Sequence, residues 1–233
     1  NTVVDVSDAA RDIPHTGPHN LISGLIERFA DYRGAFEKAV ATGNEVPLAG
    51  VRIRPPLPRP VNIDCMAVNY MEDGTRKEPT PINAFLKSPN CVVGLGDTVL
   101  LPDIAFSIFE GEAELAVVIG KRAKHVPASR AMEHVFGYTN FIDGSARDAT
   151  TLGNSFYQVK SRDTFAPIGP YIVTADEIKD PQKLQVRLSV NGVLKQNYNT
   201  SDMANKIPRC IEWISGIHEL EPGDILATGT NHR

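Results

Sequence analysis

The 233-residue sequence contains no apolar run approaching the roughly 18 residues that a membrane helix needs. It has no charged start followed by an apolar core, so nothing marks a secretory signal. Lysine and arginine do not form runs interleaved with aromatics, and the net charge of -4 is spread along the chain. The electrostatic footprint of a nucleic-acid binder is therefore missing. Only three cysteines occur, Cys65, Cys91 and Cys210, odd in number and far apart. They suit reduced core thiols rather than a disulfide framework. Internal repeats and low-complexity tracts are absent as well. These exclusions leave a soluble, cytoplasmic protein with small-molecule chemistry and neither nucleic acid nor membrane as partner.

With 42% apolar residues, the chain can bury a core large enough to stand alone. From His19 to Thr42, Leu21, Leu25, Ile26, Phe29, Phe36 and Val40 recur at roughly helical spacing, which predicts one or two amphipathic helices. The stretch RIRPPLPRP, Arg52 to Pro60, holds four prolines that continue neither a helix nor a central strand, so it reads as an extended connector. We place the domain boundary there: residues 1–56 form an N-terminal appendage and connector, residues 57–233 the main domain. Strands are predicted at Asn62–Val68, Thr98–Leu101, Glu112–Ile119, Tyr138–Asp143, Tyr171–Thr174 and Gln185–Val190, and helices at Ala128–Val135 and Asp202–Ser215. Asn191-Gly192, between LQVRLSV and VLKQNY, is a hairpin turn, because both central positions want a positive φ. The class is α+β, mainly β, without regular βαβ alternation. The chain begins at Asn1 and stops at Arg233 after a turn-like segment, and we expect both ends to be clipped relative to the gene product.

One stretch mixes a core strand with acids: FEGEAELAVVIG, Phe109 to Gly120. Glu110, Glu112 and Glu114 share a face, about 6.6 Å apart along the strand. Two such carboxylates repel by about 2.5 kcal/mol at an effective dielectric near 20. A hard divalent cation such as Mg²⁺, Mn²⁺ or Ca²⁺ would remove that cost. On spacing alone, E-x-E equally fits a solvated strand face.

Five ordered segments change the weighing. FEGEAELAVVIGKR, GYTNFIDGSARD, YQVKSRDTFAPIGPYIVTADEI, NGVLKQ and LEPGDILATGT resemble the fumarylacetoacetate hydrolase family, a resemblance that runs from about Pro58 to Thr230 with a weaker match upstream. The resemblance implies a mixed β-roll or β-sandwich catalytic domain carrying a small N-terminal helical appendage. It implies a metal, Mg²⁺ or Mn²⁺ with Ca²⁺ also possible, held by Glu112, Glu114 and Asp143. Glu110 lies outside that set. Lys160 matches the family's active-site lysine, a fixed positive charge for a substrate carboxylate or a developing enolate. Thr228, Gly229 and Thr230 match the T-G-T signature, with Thr230 the candidate for binding the substrate carboxylate. Arg147 and Asp148 form either a structural ion pair or a substrate contact. The resemblance also implies a homodimer.

The pattern breaks at the lid. Where many hydrolases of this family carry N-Y-x-x-H-x-x-E, the chain reads NYMEDGTRKEP: Asn69 and Tyr70 match, but Asp73 replaces the histidine and Arg76 the glutamate. Tyr70 remains a candidate substrate contact, and Glu72 and Asp73 become the candidate bases. Thr150 stands where the family often has glutamine, and Asn231 and His232 follow T-G-T where proline and a glycine-rich turn are usual. We read His232 as solvated, and His125, His134 and His218 as ordinary surface or core residues. The activity implied is metal-dependent hydrolysis of a carbon–carbon bond in a small acylpyruvate or 1,3-dioxo acid, as in aromatic-compound catabolism. The alternatives are decarboxylation or isomerisation of a 2-oxo acid through an enolate, or a relative that binds metal and ligand without turnover.

Overall fold

A computed structural model describes residues 1–43, 45–104, 108–147 and 155–232. In chain order it begins with β1 (Thr2–Val4), α1 (Pro18–Glu27), α2 (Phe29–Thr42), β2 (Glu45–Pro47), β3 (Ile63–Met66), β4 (Ala84–Leu86) and β5 (Val92–Val93). The long strands β6 (Phe109–Ile119) and β7 (Val135–Ala146) follow, then α3 (Ser155–Lys160), β8 (Ala166–Thr174), β9 (Gln185–Val190), β10 (Val193–Asn199), α4 (Ile207–Ile217) and β11 (Ile225–Ala227).

Seven strands form one curled mixed sheet in the order β4-β3-β11-β6-β7-β8-β5. The β3–β11 and β5–β8 pairs are parallel and the others antiparallel. On β6 the period-two alternation is visible in the packing. Leu115, Val117 and Ile119 face α4, where they meet Ile207, Ile211 and Ile214. Ala116 and Val118 face a second core with Ile63, Phe141 and Ile225, to which α1 adds Ile26. Both faces are covered, which explains why the strand has no polar break beyond Glu114. Ile207, Ile211 and Ile214 are almost fully buried, each worth roughly 1.5–3 kcal/mol, and this apolar face holds α4 against the sheet.

The strand positions follow the expected ones closely at β3 and β9, while β6 and β8 start earlier than expected and β7 extends beyond the expected strand at both ends. The Asn191-Gly192 turn has φ of 51° and 79°, joining β9 to β10. Two expectations are corrected. Thr98–Leu101 is irregular rather than a strand: the Leu100 N–H donates to Thr164 Oγ1 at 2.8 Å, and Val99, Leu100 and Leu101 are exposed. The second helix starts later than Asp202, because Thr200–Asp202 is a 3-10 turn capped by the Asn199 side chain. Ala128–His134 is likewise 3-10. The proline-rich connector carries neither helix nor strand from Arg52 to Pro60. All three cysteines are free and buried. Among the described residues, no helix is long and apolar enough to cross a membrane.

Candidate active site

The β6–β7 ladder brings the acids together. Glu112 is directly opposite Asp143 in the register, and Glu114 is two residues along the same face of β6. Glu112, Glu114 and Asp143 are all buried and line one cavity of about 100 Å³. The family's lysine arrives from the last residue of α3: the Lys160 ammonium donates to Glu112 Oε2 and Asp143 Oδ2. Arg147, at the end of β7, donates to Glu112 Oε1 and, at 2.5 Å, to Glu110 Oε2. Glu110 is thus a half-exposed partner of Arg147. Asp148 and Thr150 lie outside the described residues.

Burial pushes the Glu114 carboxyl well above its ordinary value, and the negative charges of Asp143 and Glu112 add to the effect. Burial acts in the same direction on Glu112, but Lys160 and Arg147 outweigh it and hold that carboxyl low. The Lys160 ammonium resists its own burial because Asp143 and Glu112 hold its proton, raising its pKa. Among the described residues, no group of three or more His, Cys, Asp and Glu side chains is arranged as a ready cage for an ion. The Lys160 ammonium pairs with two of the three acids instead. The donor set nevertheless fits a hard cation: all its atoms are carboxylate oxygens, burial opposes the ionisation of all three acids, and Glu114 has no cationic hydrogen-bond partner among the described contacts.

The T-G-T segment lies against Glu114. Gly229 adopts φ +86°, and a Cβ there would come within 3.0 Å of Asn69 Cβ and 3.3 Å of Met66 O. Its N–H donates to Glu114 Oε2 at 2.7 Å, so a glycine conformation orients one acid of the trio. Buried Asn69 ties the segment after β3 to the T-G-T segment by donating to Thr228 O at 2.9 Å. Thr230 lines the cavity, donating to Ala113 O and accepting from Gln196 Nε2, both at 2.9 Å. Its hydroxyl is therefore already engaged by the protein.

The lid residues separate. Glu72 is buried, lines the cavity, and accepts the His232 N–H at 3.0 Å. Asp73 is exposed and outside the cavity wall, with its N–H bonded to Asp202 Oδ2 at 3.1 Å. Tyr70 is also outside that wall; its ring sits in the core, 5.0 Å from Tyr198 in an edge-on contact.

Sequence reasoning missed several residues here. Lys87, just beyond β4, is buried and donates to Asp143 Oδ1 at 2.6 Å, Gly144 O at 3.1 Å and Lys160 O at 2.5 Å. Its only sequence signal is a lysine at the end of the apolar run INAFLK. His232, read as solvated, lines the cavity with Nε2 3.7 Å from Glu112 Oε1, although its side chain remains half exposed. Phe85 and Phe156 complete the wall beside Lys160. A larger cleft of about 630 Å³ lies between β9 and the β6–β7 pair, lined mainly by apolar side chains such as Leu184, Val186 and Phe141. The convergent acids and the Lys160 ammonium line the smaller cavity.

Comparison with known proteins identifies the family and the fold. The model of the fumarylacetoacetate (FAA) hydrolase C-terminal domain matches residues 63–232. Oxaloacetate tautomerase YisK of Bacillus subtilis is 41% identical over 189 residues, spanning 78% of this chain and 63% of that protein. Maleylpyruvate hydrolase from Sphingobium sp. SYK-6, solved in complex with manganese(II) and pyruvate, has a similar fold at TM-score 0.88 and 35% identity, covering 99% of this chain and 83% of that one. The 2-hydroxyhepta-2,4-diene-1,7-dioate isomerase from Mycobacterium marinum is similar at TM-score 0.72 and 38% identity, over 81% and 70% of the two chains. With a domain match over most of its length and relatives that share its sheet, the chain belongs to the fumarylacetoacetate hydrolase family and is an enzyme of that family.

Proposed function

We propose that this enzyme makes and re-protonates the enolate of a small 2-oxo or 1,3-dioxo acid, acting as a divalent-metal-dependent tautomerase or isomerase. The observation that carries this reading is the lid. Asp73 and Arg76 replace the histidine and glutamate that activate water in many relatives, and of the two lid acids, Glu72 and Asp73, Glu72 alone lines the cavity. Enolisation needs one group to move a proton and a positive environment for the oxygen; it consumes no water. Similarity to an oxaloacetate tautomerase and a dienedioate isomerase supports the reading.

Glu112, Glu114 and Asp143 would hold Mg²⁺ or Mn²⁺, which when bound supplies Lewis-acid stabilisation of developing negative charge. Such an ion and the Lys160 ammonium compete for the same carboxylate oxygens. Lys160, buried and held charged, stabilises the enolate oxygen or the substrate carboxylate. Glu72 takes the proton from the carbon beside the keto group and delivers it to the enolate oxygen, or to the far end of a conjugated enolate in an isomerisation, so that the atoms balance without a co-reactant. Its orientation is set by the His232 N–H. Thr230 and Gly229 fix the wall against which the acid lies.

A second reading, carbon–carbon hydrolysis, is favoured by the similarity to maleylpyruvate hydrolase over 99% of the chain. Both are tested by following enol–keto exchange of oxaloacetate and product release from an acylpyruvate, with Mn²⁺ or Mg²⁺ added. Glu72→Gln should slow exchange by about 100-fold or more, and Asp73→Asn should have little effect. Stoichiometric release of two acids without enol–keto exchange would establish hydrolysis instead. Calorimetry with Mn²⁺ tests the ion site directly: Glu112→Gln, Glu114→Gln and Asp143→Asn should each weaken binding, and unchanged affinity in all three would remove the site from the scheme.

A further inference from the structure

The cavity wall divides by chemistry. The lining combines the acids, Lys160 and Thr230 with an apolar group: Phe85 beside Lys87, Phe156 of α3, Met66 at the end of β3 and Val68 just beyond it. Phe156 and Lys160 are four residues apart on α3, so they project from the same helix face. The Phe85 and Phe156 rings stack with centroids 4.8 Å apart and planes inclined by 4°. The Lys160 ammonium lies 5.4 Å from the Phe85 ring centroid, where the apolar group meets the charged one. Phe156 is 38% exposed and Val68 48%, which leaves an open apolar lip.

Resting on the enolising reading above, we infer that the Phe85–Phe156 wall selects the substrate's tail, favouring a planar, uncharged, conjugated or aryl chain over a second carboxylate. An acid anchored at Lys160 extends along the ring beside it, and a flat π system gains both apolar burial and stacking there. A distal carboxylate gains less. Among the described cavity residues, Lys160 is taken by the first carboxylate and Arg147 is already bonded to Glu110 and Glu112. His232 is the remaining cationic candidate, and it is half exposed beside Glu112.

The test compares benzoylpyruvate with oxaloacetate on the Mn²⁺-loaded enzyme, as wild type, Phe156→Leu and Phe156→Ala, with benzoylpyruvate binding followed separately by calorimetry. The wild type should show the higher kcat/KM for benzoylpyruvate. Phe156→Ala should lower the benzoylpyruvate-to-oxaloacetate ratio about tenfold, mainly through KM, with Phe156→Leu intermediate. A ratio that moves less than twofold, or a wild type that prefers oxaloacetate, overturns the inference. If neither acid is turned over, the enolising reading fails by itself. In that case, a tenfold loss of benzoylpyruvate affinity in Phe156→Ala still supports the aromatic wall, and unchanged affinity refutes it.

Discussion

Replacing Lys87 with methionine should destabilise the protein strongly, because the ammonium is wholly enclosed and has three acceptors. The side chain is 0% exposed, and Asp143 Oδ1, Gly144 O and Lys160 O all lie within 3.1 Å of Nζ. Methionine keeps the length of the side chain but leaves a buried carboxylate oxygen and two carbonyls without that donor. Breaking one partner out of a buried ion pair costs about 3–5 kcal/mol. Asp143 retains Lys160, and the methionine stem stays packed, so the lower end of about 3 kcal/mol is expected. For a chain of this size that corresponds to a melting temperature lower by about 6–12 °C. Thermal unfolding followed by circular dichroism measures it, with urea titration as the check on two-state behaviour. The double variant Lys87→Met/Asp143→Asn should recover part of the loss, since removing both partners leaves less unpaired charge. A melting temperature within 2 °C of wild type would refute the reasoning, as would strict additivity of the two substitutions.

Two further predictions follow from other parts of the molecule. Gly229→Ala should cost about 1–3 kcal/mol through its positive φ and the 3.0 Å approach to Asn69, read as a lower melting temperature; an unchanged value would show that the wall can relax. Asp64 and His218 carry a pH dependence: burial pushes the Asp64 carboxyl up to about 6, while the Asp64 bond and the Glu219 carbonyl outweigh burial and raise His218. Both folded groups therefore hold protons that the unfolded chain releases, so this part of the stability falls as pH rises, first from about 4 to 6 for Asp64 and then through the raised His218 value. The Asp64 part amounts to at most about 3 kcal/mol. The stability difference between wild type and Asp64→Asn should thus shrink from about pH 4 to 6, and a difference that stays flat would contradict it.

Spacing alone gave only the shared face of Glu112 and Glu114; the trio with Asp143 came from the resemblance of its segments to the family's. Two glutamates spaced by two residues must share a strand face, and a motif of a dozen residues carries Asp143 to the neighbouring strand. Local geometry likewise fixes the Asn191-Gly192 turn, whose left-handed φ values belong to the dipeptide itself. Even the break in the lid pattern could be read directly, as Asp73 and Arg76.

Which lid carboxylate faces the cavity was decided only by the tertiary structure. Glu72 and Asp73 both adopt positive φ, 55° and 54°, and Asp202 and His232 then fix one acid inward and the other outward. Tyr70, matched by motif, is drawn into the core against Tyr198. Lys87 was invisible for a complementary reason. It follows a three-residue edge strand too short to show a period, and its acceptor Asp143 is 56 positions away. Side-chain spacing fixes a face within one strand, but only closure of the sheet determines which distant groups that face will meet.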